Sequence, residues 1–381
     1  KDTMSIDTAR TVVSTYLGEN VADRILRGDI ERGKVIAVRK VLWFSDLVGF
    51  TRLADTLPHE QLIDLLNAYA DCLVGVVHDH GGQVLKFLGD GILAVTTVGA
   101  PMDAALTELK AAPAKFDAST HVVEQYEAVS TDGTKIPYFI TRPREMKLDG
   151  SNPTILFGYG GFQLSMNPAY KPEMGKLWLE RGGVFVNANI RGGGEFGPDW
   201  HQAALDGNRQ RAFDDFAAVA RDLVARGITS ARHLGIYGRS NGGVLTSVAI
   251  TQHPELFNAA VIESPLIDML RYHELPAGAS WIGEYGDPRI PEEAAWIAKY
   301  SAYQQLRPDV EYPRVYVTTN TRDDRVHPGH ARKFAARLGD QGHDHLYYED
   351  TAGGHSNDAD PVANARRWAR HYVYLAQQLM D

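Results

Sequence analysis

Ser240 lies in "GIYGRSNGG", where Gly238, Ser240 and Gly242 fit the spacing G-x-S-x-G. That spacing suits a nucleophile on a tight, strained turn between a strand and a helix, since small neighbours let the chain pass close to itself. A serine hydroxyl attacks well only when a base takes its proton, and the base needs a third group to orient it. Two later stretches offer such groups in the order Ser, Asp, His. "NTRDDRVHP" places Asp323 and Asp324 after the apolar run "RVYVTT", and "TAGGHSND" places His355 after "DHLYYED". His327 and His330 compete for the role of base, but they fall at the start of a helical pattern beside the aspartates. The chemistry this set can perform is acyl transfer.

Such side chains need a rigid frame. The runs "TILFGYGGF", "GVFVNANIRGGG", "HLGIYGRS", "AAVIES" and "RVYVTT" are short and nearly continuously apolar, as strands buried on both faces are. Helical patterns such as "AFDDFAAVARDLVARG", "GGVLTSVAITQ" and "HPGHARKFAARLGDQG" alternate with them. Ahead of them, "HVVEQYEAVSTDGTKIPYFITRP" reads as a hairpin turning at Asp132-Gly133. Strands alternating with helices predict an α/β fold: a mostly parallel sheet with helices on both faces.

The composition is that of an ordinary soluble protein: 381 residues, 44% hydrophobic, 23% charged, net charge −9. The negative charge and the scattered Lys and Arg argue against nucleic-acid or anionic-membrane partners. The single cysteine, Cys72, excludes an intrachain disulfide, and its apolar run "LLNAYADCLVGVV" predicts a buried thiol. There is no stretch of 18 uninterrupted apolar residues and no signal-peptide core at the start, so a cytoplasmic location is expected.

The first hundred residues have another character. A helix is expected over "MSIDTARTVVSTYLGENVADRILRGDIE", a strand over Val41–Phe44, and an amphipathic helix over "EQLIDLLNAYADCLVGVVHDHGG" that stops at Gly81-Gly82. "GQVLKFLGDGILAVTTV" reads as a hairpin. Asp46 at a strand end and Asp90 in the turn could share a divalent cation; Mg²⁺ favours carboxylate oxygens together with substrate phosphates.

The C-terminal stretch, residues 112–381, resembles the catalytic α/β-hydrolase domain of the prolyl oligopeptidase family of serine peptidases. The resemblance is carried by "KFDAS", "DGTKIPYFI", "GYGGF", "NIRGGGEFG", "GRSNGG", "GASWIGEYGDP", "TRDDRVHPGHARKF" and "GGHSNDAD". It implies Ser240 as nucleophile, Asp323 rather than Asp324 as the orienting carboxylate, and His355 as general base. It also implies an oxyanion held by the Tyr159 hydroxyl and the Asn241 N–H. At the specificity subsite, Trp281 would stack on a proline ring, Phe162 and Tyr285 would help line the slot, and Arg325 would bond a neighbouring peptide carbonyl. The activity implied is cleavage after proline in short peptides, with no cofactor. The family's β-propeller has no counterpart here, because no four-strand blade repeats along the chain. Small esters on the same triad are therefore an alternative substrate class.

Residues 1–98 resemble the N-terminal half of a class III adenylate/guanylate cyclase domain, a truncated α+β half-domain. The resemblance runs over "VLWFSDLVGFTRLAD" and "LLNAYADCLVGVVHDHGGQVLKFLGDGILAV". It implies Asp46 and Asp90 as Mg²⁺ carboxylates and Lys86 as a purine-recognising lysine. The second half of that family's domain, with the groups that stabilise its transition state, has no match after Val98, so cyclase turnover is not expected. A nucleotide-binding regulatory module and a homodimer formed through the half-domain are the roles left to it. Residues 99–111 join the two parts.

Overall fold

The computed structural model describes residues 40–45, 58–79, 82–88, 91–97, 114–355 and 360–380. The chain divides into two units, Lys1–Ala111 and Ala112–Asp381.

In the first unit the β-rich runs form three antiparallel strands: β1 (Lys40–Ser45), β2 (Gly82–Leu88) and β3 (Gly91–Thr97), in the order β1-β3-β2. The expected hairpin is β2-β3, paired from Gly82↔Thr96 to Leu88↔Gly91. Helix α1 (His59–Asp79) precedes it. The more covered face of α1 repeats at Leu62, Leu65, Leu66, Tyr69, Leu73 and Val77, the spacing of one helical stripe. The Tyr69 hydroxyl lies 2.8 Å from Ser45 Oγ, at the end of β1. Cys72 falls off that stripe and is exposed, so the expectation of a buried thiol is corrected. The run around Cys72 is apolar on two sides, and only one of them is covered: Ile63 and Val76 are exposed as well. Lys86 pairs through β2 with Leu93. The helix expected over 4–31 and the residues Asp46 and Asp90 lie outside the described residues.

The second unit opens with the expected hairpin, β4 (His121–Val129) and β5 (Lys135–Pro143). The apolar runs then give β6 (Thr154–Gly158), β7 (Val184–Ala188), β8 (Leu234–Arg239), β9 (Ala259–Glu263), β10 (Val315–Asn320) and β11 (His345–Asp350). They form one sheet in the order β11-β10-β9-β8-β6-β7-β5-β4. Pairings from β11 through to β7 are all parallel, and the hairpin closes one side in antiparallel fashion.

Both faces of the sheet are apolar because alternate residues of each strand point to opposite sides. Leu156, Val184, Val186, Ala260 and Ile262 pack in one core with Phe213, Phe216, Val219 and Leu223 of α2 (Gln210–Ala225). Their neighbours Ile155, Phe185, Ala259 and Val261 pack on the other side. There they meet Tyr372, Tyr374, Leu375 and Leu379, which belong to the helix that ends the chain. Each large side chain so buried contributes about 1.5–3 kcal/mol over its exposed state.

Helix α3 (Asn241–Gln252) runs through the first core, buried on every side from Asn241 to Ile250. Its polar members do not disturb that packing: the Thr246 and Ser247 hydroxyls donate to carbonyls of their own helix at 3.0 and 2.9 Å. Helix α4 (Gly329–Asp340) follows β10, and the last helix is α5 (Pro361–Leu379). Asp360 caps α5, its carboxylate accepting from the Val362 N–H at 2.9 Å. Among the described residues no helix is long and apolar enough to cross a membrane.

Candidate active site

β8 ends at Arg239, and the next residue, Ser240, has φ 58° and ψ −120°. A non-glycine residue held there is strained, and the surroundings impose it. The Ser240 N–H donates to the Glu263 carbonyl at 3.0 Å, and the Gly243 N–H donates to the Ser240 carbonyl at 2.8 Å. The turn is so tight that a Cβ on Gly238 would stand 2.0 Å from the Gly242 carbonyl oxygen. The G-x-S-x-G spacing is thus a steric requirement of this turn.

The base and its orienting group come from the ends of β11 and β10. His355 Nδ1 lies 2.8 Å from Asp323 Oδ2 and 3.0 Å from Oδ1. Asp323 Oδ1 also accepts the N–H groups of Arg325 at 3.1 Å and Val326 at 2.8 Å, which fix its carboxylate. Both are buried, Asp323 at 5% and His355 at 8% exposure, so the pair is shielded from solvent screening. Asn320 at the end of β10 donates its amide to the Gly354 carbonyl at 3.1 Å, which ties the histidine loop to the aspartate strand. Asp324 is exposed and makes no bond to His355 among the described residues. His327 and His330 point elsewhere. His327 Nδ1 accepts the Gly329 N–H at 3.1 Å, and the buried His330 Nδ1 accepts the N–H groups of Ile267 and Asp268 at 3.3 and 3.2 Å.

Ser240 and His355 line one cavity of about 470 Å³, together with Tyr159 and Arg325. Burial raises the Tyr159 hydroxyl's pKa, and its hydrogen bond with Ser240 opposes that shift. The phenol is therefore neutral and a donor near neutral pH. Asn241 is the first residue of α3, and its N–H is one of the groups a helix start leaves free. That N–H has no partner among the described residues.

The predicted specificity residues divide. Trp281 and Phe162 are partly buried and pack against the main core. Phe162 has φ 55°, and its N–H donates to Glu284 Oε1 at 2.9 Å. Arg325 is exposed, and its guanidinium has no ion-pair partner among the described residues. Tyr285 departs from the expectation of a slot-lining residue: it is 0% exposed. Its ring stands edge-on to Phe162 at 5.8 Å, and its hydroxyl donates to Asn241 Oδ1 at 2.6 Å. It supports the site from beneath, because the small helix Ile282–Tyr285 turns it into the core.

Sequence reasoning missed the polar network under this site. Arg209, 1% exposed, donates to Asn241 Oδ1 at 2.6 Å and to Glu284 Oε1 at 2.9 Å. His201 Nε2 lies 2.8 Å from Glu284 Oε2. The Asn241 amide donates to the Tyr159 carbonyl at 2.5 Å. A signal was present, since Glu284 is the one acid within the aromatic run "SWIGEYG". An acid among aromatics calls for a buried partner. No group of three or more His, Cys, Asp or Glu able to hold a metal occurs among the described residues.

A mostly parallel sheet with a serine on the tight strand-to-helix turn after β8, and an Asp–His pair after β10 and β11, defines the second unit as an α/β-hydrolase. Residues 171–381 match the model of the prolyl oligopeptidase family, and the chain belongs to that family. The chain is 49% identical over 306 residues to the uncharacterized peptidase y4nA of Sinorhizobium fredii, covering 80% of this chain and 42% of that protein. It is 40% identical over 225 residues to the prolyl endopeptidase of Elizabethkingia miricola, covering 59% of this chain and 32% of that one. Among solved structures, a post-proline cleaving enzyme from Rickettsia typhi superposes with a TM-score of 0.68 at 45% identity, covering 69% of this chain and 38% of that chain. The chain thus spans about two fifths of the length of the first relatives it matches.

Proposed function

We propose that the unit Ala112–Asp381 is a serine peptidase that cleaves short peptides after proline. Ser240 Oγ attacks the carbonyl carbon while His355 takes its proton, and Asp323 holds the imidazole in the tautomer that can accept it. The negative charge that develops on the carbonyl oxygen is met by the Tyr159 hydroxyl and the Asn241 N–H, each such donor supplying about 3–4 kcal/mol of barrier lowering. The imidazolium then gives its proton to the leaving amine. Water attacks the acyl-enzyme with the same residues in the same roles. Trp281 and Phe162 would hold the proline ring, and Arg325 a neighbouring peptide carbonyl. The observation that carries this reading is the His355–Asp323 pair at 2.8 Å, with His355 on the wall of the cavity that Ser240 also lines.

The test is covalent labelling with a fluorophosphonate, followed by a panel of proline p-nitroanilides and small p-nitrophenyl esters. Labelling is expected on Ser240 alone, with proline anilides preferred over anilides of other residues. A Ser240→Ala protein that hydrolysed the proline anilide at the native rate would overturn the reading. Faster turnover of esters with no proline preference would assign the site to ester substrates.

For residues 1–98, three antiparallel strands with α1 ahead of their hairpin favour the cyclase-like half-domain. Its role would be to bind a Mg²⁺–nucleotide through Asp46, Asp90 and Lys86. Calorimetry with ATP and Mg²⁺ on the native protein and on Asp46→Ala tests this, and no heat with the native protein removes it.

A further inference from the structure

The cavity at Ser240 extends away from the expected proline slot. Trp281 and Phe162 are not on its wall, whereas His355, Lys171, Tyr237, Arg239 and Trp368 are. His355 is the group that hands a proton to the departing amine, so the part of the cavity beside it faces the leaving segment of the substrate.

This part is cationic and short of acids. The Lys171 ammonium lies 4.8 Å from the centre of the Phe157 ring and 5.2 Å from that of Phe185. Burial is the cause acting on it, and it lowers the lysine's pKa. Arg239 follows the pattern from another side. Its Nε is 3.7 Å from Glu263 Oε1, an ion-pair distance too long for a hydrogen bond. Its Nε and Nη2 are buried and without a hydrogen-bond partner among the described residues. Glu263 is already engaged by the Tyr237 hydroxyl at 2.8 Å and by Arg367. One carboxylate compensates two guanidinium groups there, which leaves a net positive charge. Glu173, the acid on the wall, is exposed and screened by solvent. The Arg239 side chain is still 23% exposed on the cavity wall, and an anion entering the cavity would offset the charge that Glu263 leaves uncompensated.

We propose that this cavity binds a carboxylate on the leaving side of the substrate, so that the protein prefers short peptides whose leaving segment ends in a free C-terminus. The inference rests on the peptidase reading of Ser240 and adds to it a preference beyond the scissile bond. Aromatic walls from Tyr237 and Trp368 would hold the apolar part of that segment, and Lys171 and Arg239 its carboxylate. A guanidinium or ammonium bonded to a carboxylate in a partly closed site supports a preference of about tenfold.

The experiment compares acetyl-Gly-Pro-Ala-Phe as free acid and as C-terminal amide. The acid is expected to have about tenfold higher kcat/KM at low salt, with the ratio shrinking as ionic strength rises. In Lys171→Met and Arg239→Gln the ratio should approach one. A ratio near one in the native protein, or a ratio unchanged in both variants, overturns the proposal. Binding of the same two peptides to Ser240→Ala, followed by calorimetry, separates the two readings. Tighter binding of the acid without any cleavage by the native protein removes the peptidase reading and keeps the carboxylate site. Equal binding of acid and amide removes the carboxylate site alone.

Discussion

The side-chain amide of Asn241 donates to the main-chain carbonyl of Tyr159 at 2.5 Å. The residue after the candidate nucleophile therefore grips Tyr159, the residue proposed to offer the other oxyanion donor. Arg209 and Tyr285 hold the other end of the same amide, both at 2.6 Å from Oδ1. Tyr159 and Asn241, the proposed oxyanion donors, are two parts of one braced unit.

Replacing Asn241 by Ala keeps its backbone N–H but removes the amide that holds the Tyr159 carbonyl and accepts from Arg209 and Tyr285. The expected result is a fall in kcat of about a hundredfold with KM little changed, because misplacement by a fraction of an ångström is costly in the transition state. Steady-state kinetics on a proline anilide, with circular dichroism as a check on folding, measures it. Unaltered kcat would show that Tyr159 needs no such support.

Asp323→Asn should leave the fold intact and reduce kcat by about ten-thousandfold, since an amide facing Nδ1 stabilises the wrong imidazole tautomer. Asp324→Asn should change kcat by less than about threefold, because Asp324 is exposed and outside the pair. Comparing these two neighbours in one assay tests the assignment. Equal losses would break it.

Arg209→Met leaves Glu284 buried with His201 as its remaining side-chain partner. Stability should fall by about 3–5 kcal/mol, the usual result of removing one member of a buried ion pair. Urea unfolding followed by tryptophan fluorescence reads this. The double variant Arg209→Met with Glu284→Gln should recover part of the loss.

Two buried histidines predict an acid limit to stability. Burial holds His330 and His371 at about 4, below the usual 6.5. Above pH 6.5 they are neutral in both states, and their contribution to stability is fully present. As pH falls from 6.5 toward 4 the unfolded chain takes up protons that the folded chain refuses. Stability therefore falls, by up to about 1.4 kcal/mol per pH unit for each histidine. His371 stands tilted to Tyr237 and edge-on to Tyr316 and Trp368 at ring distances of 5.6–5.7 Å, and neither ring nitrogen has a hydrogen-bond partner among the described residues. His371→Phe should preserve these contacts and flatten the slope. Urea midpoints of both proteins between pH 7 and 4.5 test this, and parallel slopes would contradict it.

The sequence made the strands and their helices legible because buried parallel strands read as continuous apolar runs, and helices as 3.6-residue stripes. Ser240 and Asp323 were legible because each follows such a run, and His355 because it follows the β-rich stretch "DHLYYED" on a Gly-rich loop. Periodicity says less about what lies beneath a surface. Tyr285 has the same local pattern as a slot residue, and only the turn of its short helix sends it inward. Cys72 sat in a run apolar on two sides, and no sequence count says which side a sheet will cover. Arg209 and Glu284 are 75 residues apart with α2, β8, α3 and β9 between them, a contact that tertiary packing alone decides.

Ser240, Asp323 and His355 leave the ends of β8, β10 and β11, three strands held in parallel register around β9. In a β-ladder a slip of one residue turns every side chain to the other face. A shift between β10 and β11 would invert His345–Asp350 against Val315–Asn320 and carry the imidazole away from its carboxylate, even with every helix intact. Turnover by this protein would thus serve as a gauge of strand alignment. A folding intermediate with full secondary structure but the wrong pairing would be silent in an activity assay while looking native by circular dichroism.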